Sequence, residues 1–315
     1  MEIAYKQSRF CTSGYARNRG VVRTVQLPVT ASCTGQRLVS LRPSVFRSTA
    51  SPMSASPPPS TLITGATSGI GQSVARRFGE RGWRVGLMDP DAEALDGLAG
   101  TLSGADRVFS RALDPTDEGA VREALVDFAK HADGRLDVLV NAAGVMRSGR
   151  FAQLGLDAHR DHINGNLWAM LVVTHGAFPM LRDTEGARVI SIASASSMYG
   201  TPDLASYSAA KAGVRSLTQA LNLEWAHHDI HVCDVVPPYV DAPPEGDDES
   251  SLPGRPRRRL APNLTADDVT DVVEEAVEED RIHWPVGGQF RWVYRLSDVL
   301  PAPLVRLLMR YVSGF

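Results

Sequence analysis

The stretch Thr61-Leu62-Ile63-Thr64-Gly65-Ala66-Thr67-Ser68-Gly69-Ile70-Gly71-Gln72-Ser73-Val74-Ala75 sets a short apolar run, a glycine-rich turn and a helix-forming segment in direct succession. In that order the turn opens a helix, whose first backbone N–H groups have no partner within the helix and attract an anion. Glycine lets the chain turn sharply and approach a ligand closely. A glycine cluster alone is weak evidence, because glycine-rich turns are common. Its position between strand and helix makes Gly65, Ser68, Gly69, Ile70 and Gly71 a candidate phosphate-binding loop.

Outward from this loop, short apolar runs alternate with amphipathic stretches. The pattern predicts strands at 61–64, 84–88, 107–113, 136–141, 187–193 and 231–236, and helices over 70–80, 91–101, 117–131, 155–182 and 205–227. A helix in every strand-to-strand step implies right-handed crossovers and an α/β, doubly wound parallel sheet. One domain over 61–315 fits this class, since α/β folds of about 250 residues form around one sheet. Open sheets of this kind bind ligands beyond the carboxyl ends of their strands. Asp89 ends the second run, 24 residues after Gly65, where an acid accepts hydrogen bonds from an adenosine ribose; its plain alternative is a turn residue before Pro90. Asp114 ends the third run and Asn141-Ala142-Ala143-Gly144 the fourth.

After the fifth run comes Ser194, and thirteen residues later begins Tyr207-Ser208-Ala209-Ala210-Lys211. Tyr207 and Lys211 are four apart, so on a helix they share a face. A phenol is a poor base at neutral pH, but an adjacent ammonium and a cationic cofactor ring favour the phenolate. The pair then forms a proton donor and acceptor, and Ser194 is placed to hydrogen-bond a substrate oxygen as charge develops on it. Tyr-x-x-x-Lys alone occurs by chance on surface helices; here it stands in one order with the glycine loop, Asp89, the Asn141 turn and Ser194.

In that order and spacing, residues 61–240 resemble the short-chain dehydrogenase/reductase family. The resemblance implies a Rossmann-type sheet, a nicotinamide cofactor and hydride transfer between an alcohol and a carbonyl. By position, Tyr207 resembles the acid/base, Lys211 the residue that binds the nicotinamide ribose, and Ser194 the substrate-orienting serine, with Ser196 and Ser197 as its rivals. Asn166, followed by Leu167, resembles the asparagine that holds a relay water, with Asn164 as its rival. Gly65, Ser68, Gly69, Ile70, Gly71, Asp89, Asp114, Asn141, Ala142, Gly144, Tyr207, Lys211, Pro237 and Val240 are the expected cofactor contacts. Pro237-Pro238 replaces the family's usual Pro-Gly, which removes a backbone N–H near the nicotinamide. Asp89 without a neighbouring base, and Ser68 where NADP-preferring relatives often carry one, favour NAD over NADP. The rival readings are a non-catalytic NAD-binding regulator, an NADP(H)-dependent carbonyl reductase, and an epimerase of the longer related branch, whose glycine spacing differs.

Composition narrows the partners. The net charge of −3 conceals eight Lys and Arg against one acid in residues 1–60, which leaves the rest of the chain with a surplus of ten acids. An acidic body does not suit nucleic acid, whose binding needs clustered bases. Neither the three cysteines nor the eight histidines show ligand spacing, so no metal is expected. No apolar run is long enough to span a membrane. Residues 1–60 lack core-forming periodicity and end in a Pro/Ser run; a transit peptide, an upstream stretch ahead of Met53 and a disordered extension all have this composition. The expected location is accordingly cytoplasmic, or organellar for a transit peptide. Residues 241–262 read as a polar, proline-rich loop. The basic amphipathic segment 284–315 is expected to pack on its own domain or on a second copy in a homo-oligomer, with peripheral membrane contact the weaker alternative. The family resemblance implies a small alcohol or carbonyl compound as the substrate.

Overall fold

The computed structural model describes residues 57–238, 264–297 and 300–313. Strands β1 (Ser60–Thr64), β2 (Arg84–Asp89), β3 (Val108–Ala112), β4 (Val138–Asn141), β5 (Arg188–Ile192), β6 (His231–Val236) and β7 (His283–Pro285) form one sheet in the order β3-β2-β1-β4-β5-β6-β7, every pair parallel. The strand order reverses between β1 and β4, and the crevice at such a switch point is where doubly wound sheets take their ligand.

Helices cover both faces because successive strand residues point to opposite sides. Ile63, Val85, Leu87, Val140 and Val235 pack on one side against α1 (Gly69–Glu80) through Val74 and Phe78, α2 (Ala92–Thr101) through Leu95, and α7 (Ala266–Glu278) through Val269 and Val273. Leu62, Leu139, Val189 and Val232 face α3 (Glu118–His131) through Leu125 and Phe128, and α5 (Ala169–Arg182) through Val173, Ala177 and Leu181.

The helix expected over 155–182 is interrupted. Helix α4 (Leu156–Ile163) passes into a π-helical turn at Asn164–Trp168 before α5, and the Ala169 N–H bonds back to the Asn164 carbonyl. Such turns insert a residue and re-aim a side chain, and they recur at functional sites. Here the turn carries Asn166. Helix α6 (Ala205–Trp225) holds both Tyr207 and Lys211.

Ser60, read as the last residue of the leader, is already in β1; the rest of that segment through Ser56 lies outside the described residues, as does the predicted loop 241–262. Elements with no counterpart in the sequence reading follow. Helix α7 starts with a reciprocal cap between Thr265 and Asp268, and β7 extends the sheet beside β6. Helix α8 (Gly288–Ser297) buries Phe290 and Tyr294 against Met170, Val214 and Val236, so its inner face packs on its own domain as expected. Its outer Trp292 and Leu296, with Leu304 and Leu307 on α9 (Ala302–Ser313), are exposed.

Candidate active site

At the switch point, two loops close on each other. Gly65, at φ +64°, approaches the turn after β4 so tightly that a β-carbon there would lie 2.6 Å from the Ala143 backbone. A β-carbon on Gly71 would run into the Gly65 carbonyl oxygen. Both positions therefore require glycine, for conformation at the first and for close approach at the second. The Ser68 hydroxyl caps α1, accepting from the Gly71 N–H (3.1 Å) and donating to the Gly65 carbonyl (2.7 Å). Gly69 is exposed at the start of α1, and Ile70 is half-buried behind it.

Asp89 is buried at the end of β2. Its carboxylate accepts from the Thr67 N–H in the glycine loop (3.1 Å) and from the Asp91 N–H (3.1 Å), which fixes it against that loop. Asp114 lies two residues beyond β3, exposed, and its carboxylate accepts from the Thr116 N–H (2.8 Å) and hydroxyl (2.7 Å). The Asn141 side chain donates to Thr174 (3.0 Å) and, more weakly, to Ser191 (3.4 Å). Ala142, half-buried, donates its N–H to the Thr64 carbonyl (3.1 Å), so Thr64, unmarked in the sequence, anchors this turn. Exposed Gly144 leaves its backbone beside Asn166 Oδ1 and Lys211 Nζ. Pro237 is buried and accepts from the Ala195 N–H (2.9 Å); Val240 lies outside the described residues.

The candidate reacting groups converge from β5 and α6. Ser194 follows β5, and its hydroxyl lies within hydrogen-bonding reach of the Tyr207 phenol. Its rivals are engaged elsewhere: Ser197 donates to the Ser194 carbonyl (2.6 Å), and Ser196 accepts from Thr201 (3.2 Å). Lys211 is only 5% exposed, and among the described residues no carboxylate pairs with it. Its ammonium donates to the Ile192 carbonyl (2.8 Å), and burial pulls its pKa down to about 8. Tyr207 departs from expectation. Burial holds its pKa above the ordinary value, and the opposing hydrogen bond from Ser194 does not offset this. Lys211 Nζ is 5.8 Å from the ring centroid and aimed at Ile192, so the expected lowering by the ammonium is absent from the protein alone.

Asn166 is buried, whereas Asn164 is exposed. The Asn166 amide donates to the carbonyls of Val145 (2.8 Å) and His162 (3.0 Å), leaving Oδ1 without a partner. That oxygen and the unpartnered Asn141 Oδ1 border a cavity of about 10 Å³ that Lys211, Ser191 and Thr64 also line.

The model of the short chain dehydrogenase family matches residues 60–251, more than half of the chain. The chain belongs to this family. Its members are oxidoreductases that act on CH–OH or carbonyl groups with a nicotinamide cofactor. Over 184 residues the enzyme is 34% identical to oxidoreductase UcpA of Salmonella typhimurium, a match covering 58% of this chain and 69% of that one. The solved actinorhodin polyketide ketoreductase with NADPH is similar at 27% identity and a TM-score of 0.65, covering 74% of this chain and 97% of that one. The same fold occurs in a 3-ketoacyl-(acyl-carrier-protein) reductase of Brucella melitensis solved with NADH, at 24% identity and a TM-score of 0.65, covering 73% and 98%. Among the described residues no helix is long and apolar enough to cross a membrane.

Proposed function

We propose that this enzyme interconverts a secondary alcohol and a ketone with NAD(H), and that Tyr207 is the acid/base. The observation that carries the reading is the buried Lys211 ammonium, unpaired with any described carboxylate and one helical turn from a phenol that the Ser194 hydroxyl reaches. A buried charge of this kind costs stability, and positions that keep such a cost are candidates for function.

The residues suit a nicotinamide dinucleotide. The glycine loop offers free N–H groups at the start of α1, and its tight turn, packed on the backbone after β4, has no room for a β-carbon at Gly65 or Gly71. Asp89 would accept from the adenosine ribose and repel a 2′-phosphate, which favours NAD(H) over NADP(H). Asn141, Ala142, Gly144 and Pro237 would border the nicotinamide half, with Val240 as a further contact; Asp114 would stand nearer the adenine. The bound nicotinamide supplies or takes up the hydride.

In the oxidative direction the alcohol proton passes to the Tyr207 oxygen as its C–H bond breaks; in reduction the phenol returns that proton to the forming alkoxide. Ser194 donates to the reacting oxygen and steadies its charge. Lys211 would hold the cofactor ribose, and its ammonium would favour phenolate only in the complex, since in the protein alone burial raises the phenol's pKa. Asn166 supports a water behind Lys211, because its bare Oδ1 borders a cavity just large enough for one. Exposed Leu223 on α6 and Trp168 in the π-helical turn are apolar side chains that a second copy would cover in a homo-oligomer.

The test is a panel of ketones and secondary alcohols assayed by nicotinamide absorbance with both cofactors. Turnover favouring NAD(H) supports the reading; cofactor binding without turnover of any compound would favour a non-catalytic regulator.

A further inference from the structure

Beside Tyr207, two histidines and a serine form a hydrogen-bond chain that the reaction chemistry above does not use. His162, fully buried on α4, places Nε2 2.8 Å from the Arg147 backbone N and Nδ1 2.8 Å from Ser206 Oγ. His159, one turn earlier, places Nδ1 2.8 Å from the same Oγ and Nε2 3.1 Å from the Phe151 carbonyl.

The two ends fix the direction of the chain. A backbone N–H only donates, so His162 Nε2 is bare and its proton sits on Nδ1, donating to Ser206. A carbonyl only accepts, so His159 Nε2 carries a proton; with that ring neutral, Nδ1 is bare and accepts from the Ser206 hydroxyl. Every donor then meets an acceptor, and at the buried His162 a fully satisfied network is rigid and not merely tolerated.

This chain joins two parts of the site. Both of its ends, the Arg147 N–H and the Phe151 carbonyl, lie on the loop after β4, which leaves the Asn141 turn and presents Val145, Met146 and Phe151 to solvent. At its centre is Ser206, the residue before Tyr207 on α6. The His162 ring also stands edge-on to the Tyr207 ring, 6.0 Å between centroids, and its carbonyl holds the Asn166 amide. Two further ties run in parallel: the Gly149 N–H to the Asp203 carbonyl (2.9 Å) and Arg150 to the Asp203 carboxylate (3.2 Å).

We propose that His162 and Ser206 are positioning residues that lock the loop after β4 to the catalytic helix, so that this loop forms a fixed wall of the substrate site beside Tyr207. The proposal rests on Tyr207 being the acid/base. It requires neutral rings. A proton on His162 Nε2 would oppose the Arg147 N–H, and one on His159 Nδ1 would deprive the Ser206 hydroxyl of its acceptor. The charged and titratable groups around His162 are His159, Arg147, Asp161 and Tyr207; burial and Arg147 hold it neutral, against Asp161, and a charge on His159 would disfavour a second one on His162.

The experiment compares wild type, Ser206→Ala and Ser206→Thr, with ethyl acetoacetate as carbonyl probe and NADH as cofactor. Ser206→Ala is expected to raise the KM of the ketone by about tenfold or more, since loosening a positioned wall disturbs substrate placement before it disturbs chemistry. The affinity for NADH should stay within about twofold and Ser206→Thr should recover most of the loss. Separately, ring ¹⁵N spectra of ¹⁵N-histidine protein should show His162 protonated at Nδ1, the less common tautomer, and His159 at Nε2. An unchanged ketone KM in Ser206→Ala, with or without a lower melting temperature, would overturn the positioning role; so would His162 protonated at Nε2. If wild type reduces no ketone at all, the oxidoreductase reading fails, and the spectra still decide whether the chain exists.

Discussion

Replacing Lys211 with methionine should make the cofactor-free protein more stable while weakening its hold on the cofactor. The ammonium is 5% exposed, donates one bond to the Ile192 carbonyl and has its pKa pulled from 10.5 to about 8. That shift corresponds to roughly 3 kcal/mol of destabilisation of the charged form. The penalty is fully present below pH 8, where folded and unfolded chains both hold the proton. Between pH 8 and 10.5 the unfolded chain holds more protons, so stability rises with pH and the penalty vanishes near the upper value. Methionine keeps an apolar stem out to the ε position and removes the charged nitrogen, and the lost bond to Ile192 takes back about 1–2 kcal/mol. The net gain at pH 7 is about 1–2 kcal/mol, or roughly 2–6 °C in melting temperature for a domain of this size. Thermal unfolding followed by circular dichroism at pH 7 and 9.5, without cofactor, measures it. The variant should melt higher at pH 7, with the gap closing at pH 9.5. A variant that melts lower at pH 7, or a gap independent of pH, would refute the reasoning.

Three further outcomes are expected. Asp89→Ala combined with Ser68→Arg should narrow or reverse a preference for NAD(H) of about tenfold, a difference of only about 1.4 kcal/mol, as read from kcat/KM with the two cofactors; an unaltered ratio would make Asp89 a turn residue alone. Gly71→Ala should cost about 1–3 kcal/mol and abolish measurable cofactor binding, because its β-carbon meets the Gly65 carbonyl oxygen; calorimetry showing normal binding would contradict the tight-loop account. Since burial depresses the His162 pKa, stability should fall as pH drops below 6.5, where the unfolded chain takes up a proton that folded His162 refuses; a His162→Phe variant with the same slope in urea titrations would remove this residue as the cause.

The strands and helices from β1 to β6 were legible because their signal is local: apolar runs, periodicity and caps fall inside each element. Helix α7 carries an equally local signal, the Thr265–Asp268 cap ahead of Val269, Val272, Val273 and Ala276, but it lies beyond the clear family resemblance. Strand β7 was not legible, since three residues are too few for a period and only their place beside β6 makes them a strand. The π-helical turn reads as ordinary helix in sequence. In the site, Ser194, Tyr207 and Lys211 could be picked out by spacing, and the structure sets them together. Burial was what spacing could not supply: it raises Tyr207 where an adjacent ammonium implied lowering. The His162–Ser206–His159 chain was hidden for the same reason, because the hydrogen bonds that give it direction run to backbone groups distant in sequence.

The central claim, that Tyr207 transfers the proton in a nicotinamide-dependent oxidoreduction, meets its most direct test in Tyr207→Phe. The ring and its packing remain while the transferable proton is lost, so turnover of the best ketone in the panel should drop at least about a hundredfold with cofactor affinity little changed. Retained turnover in the phenylalanine variant would contradict the account.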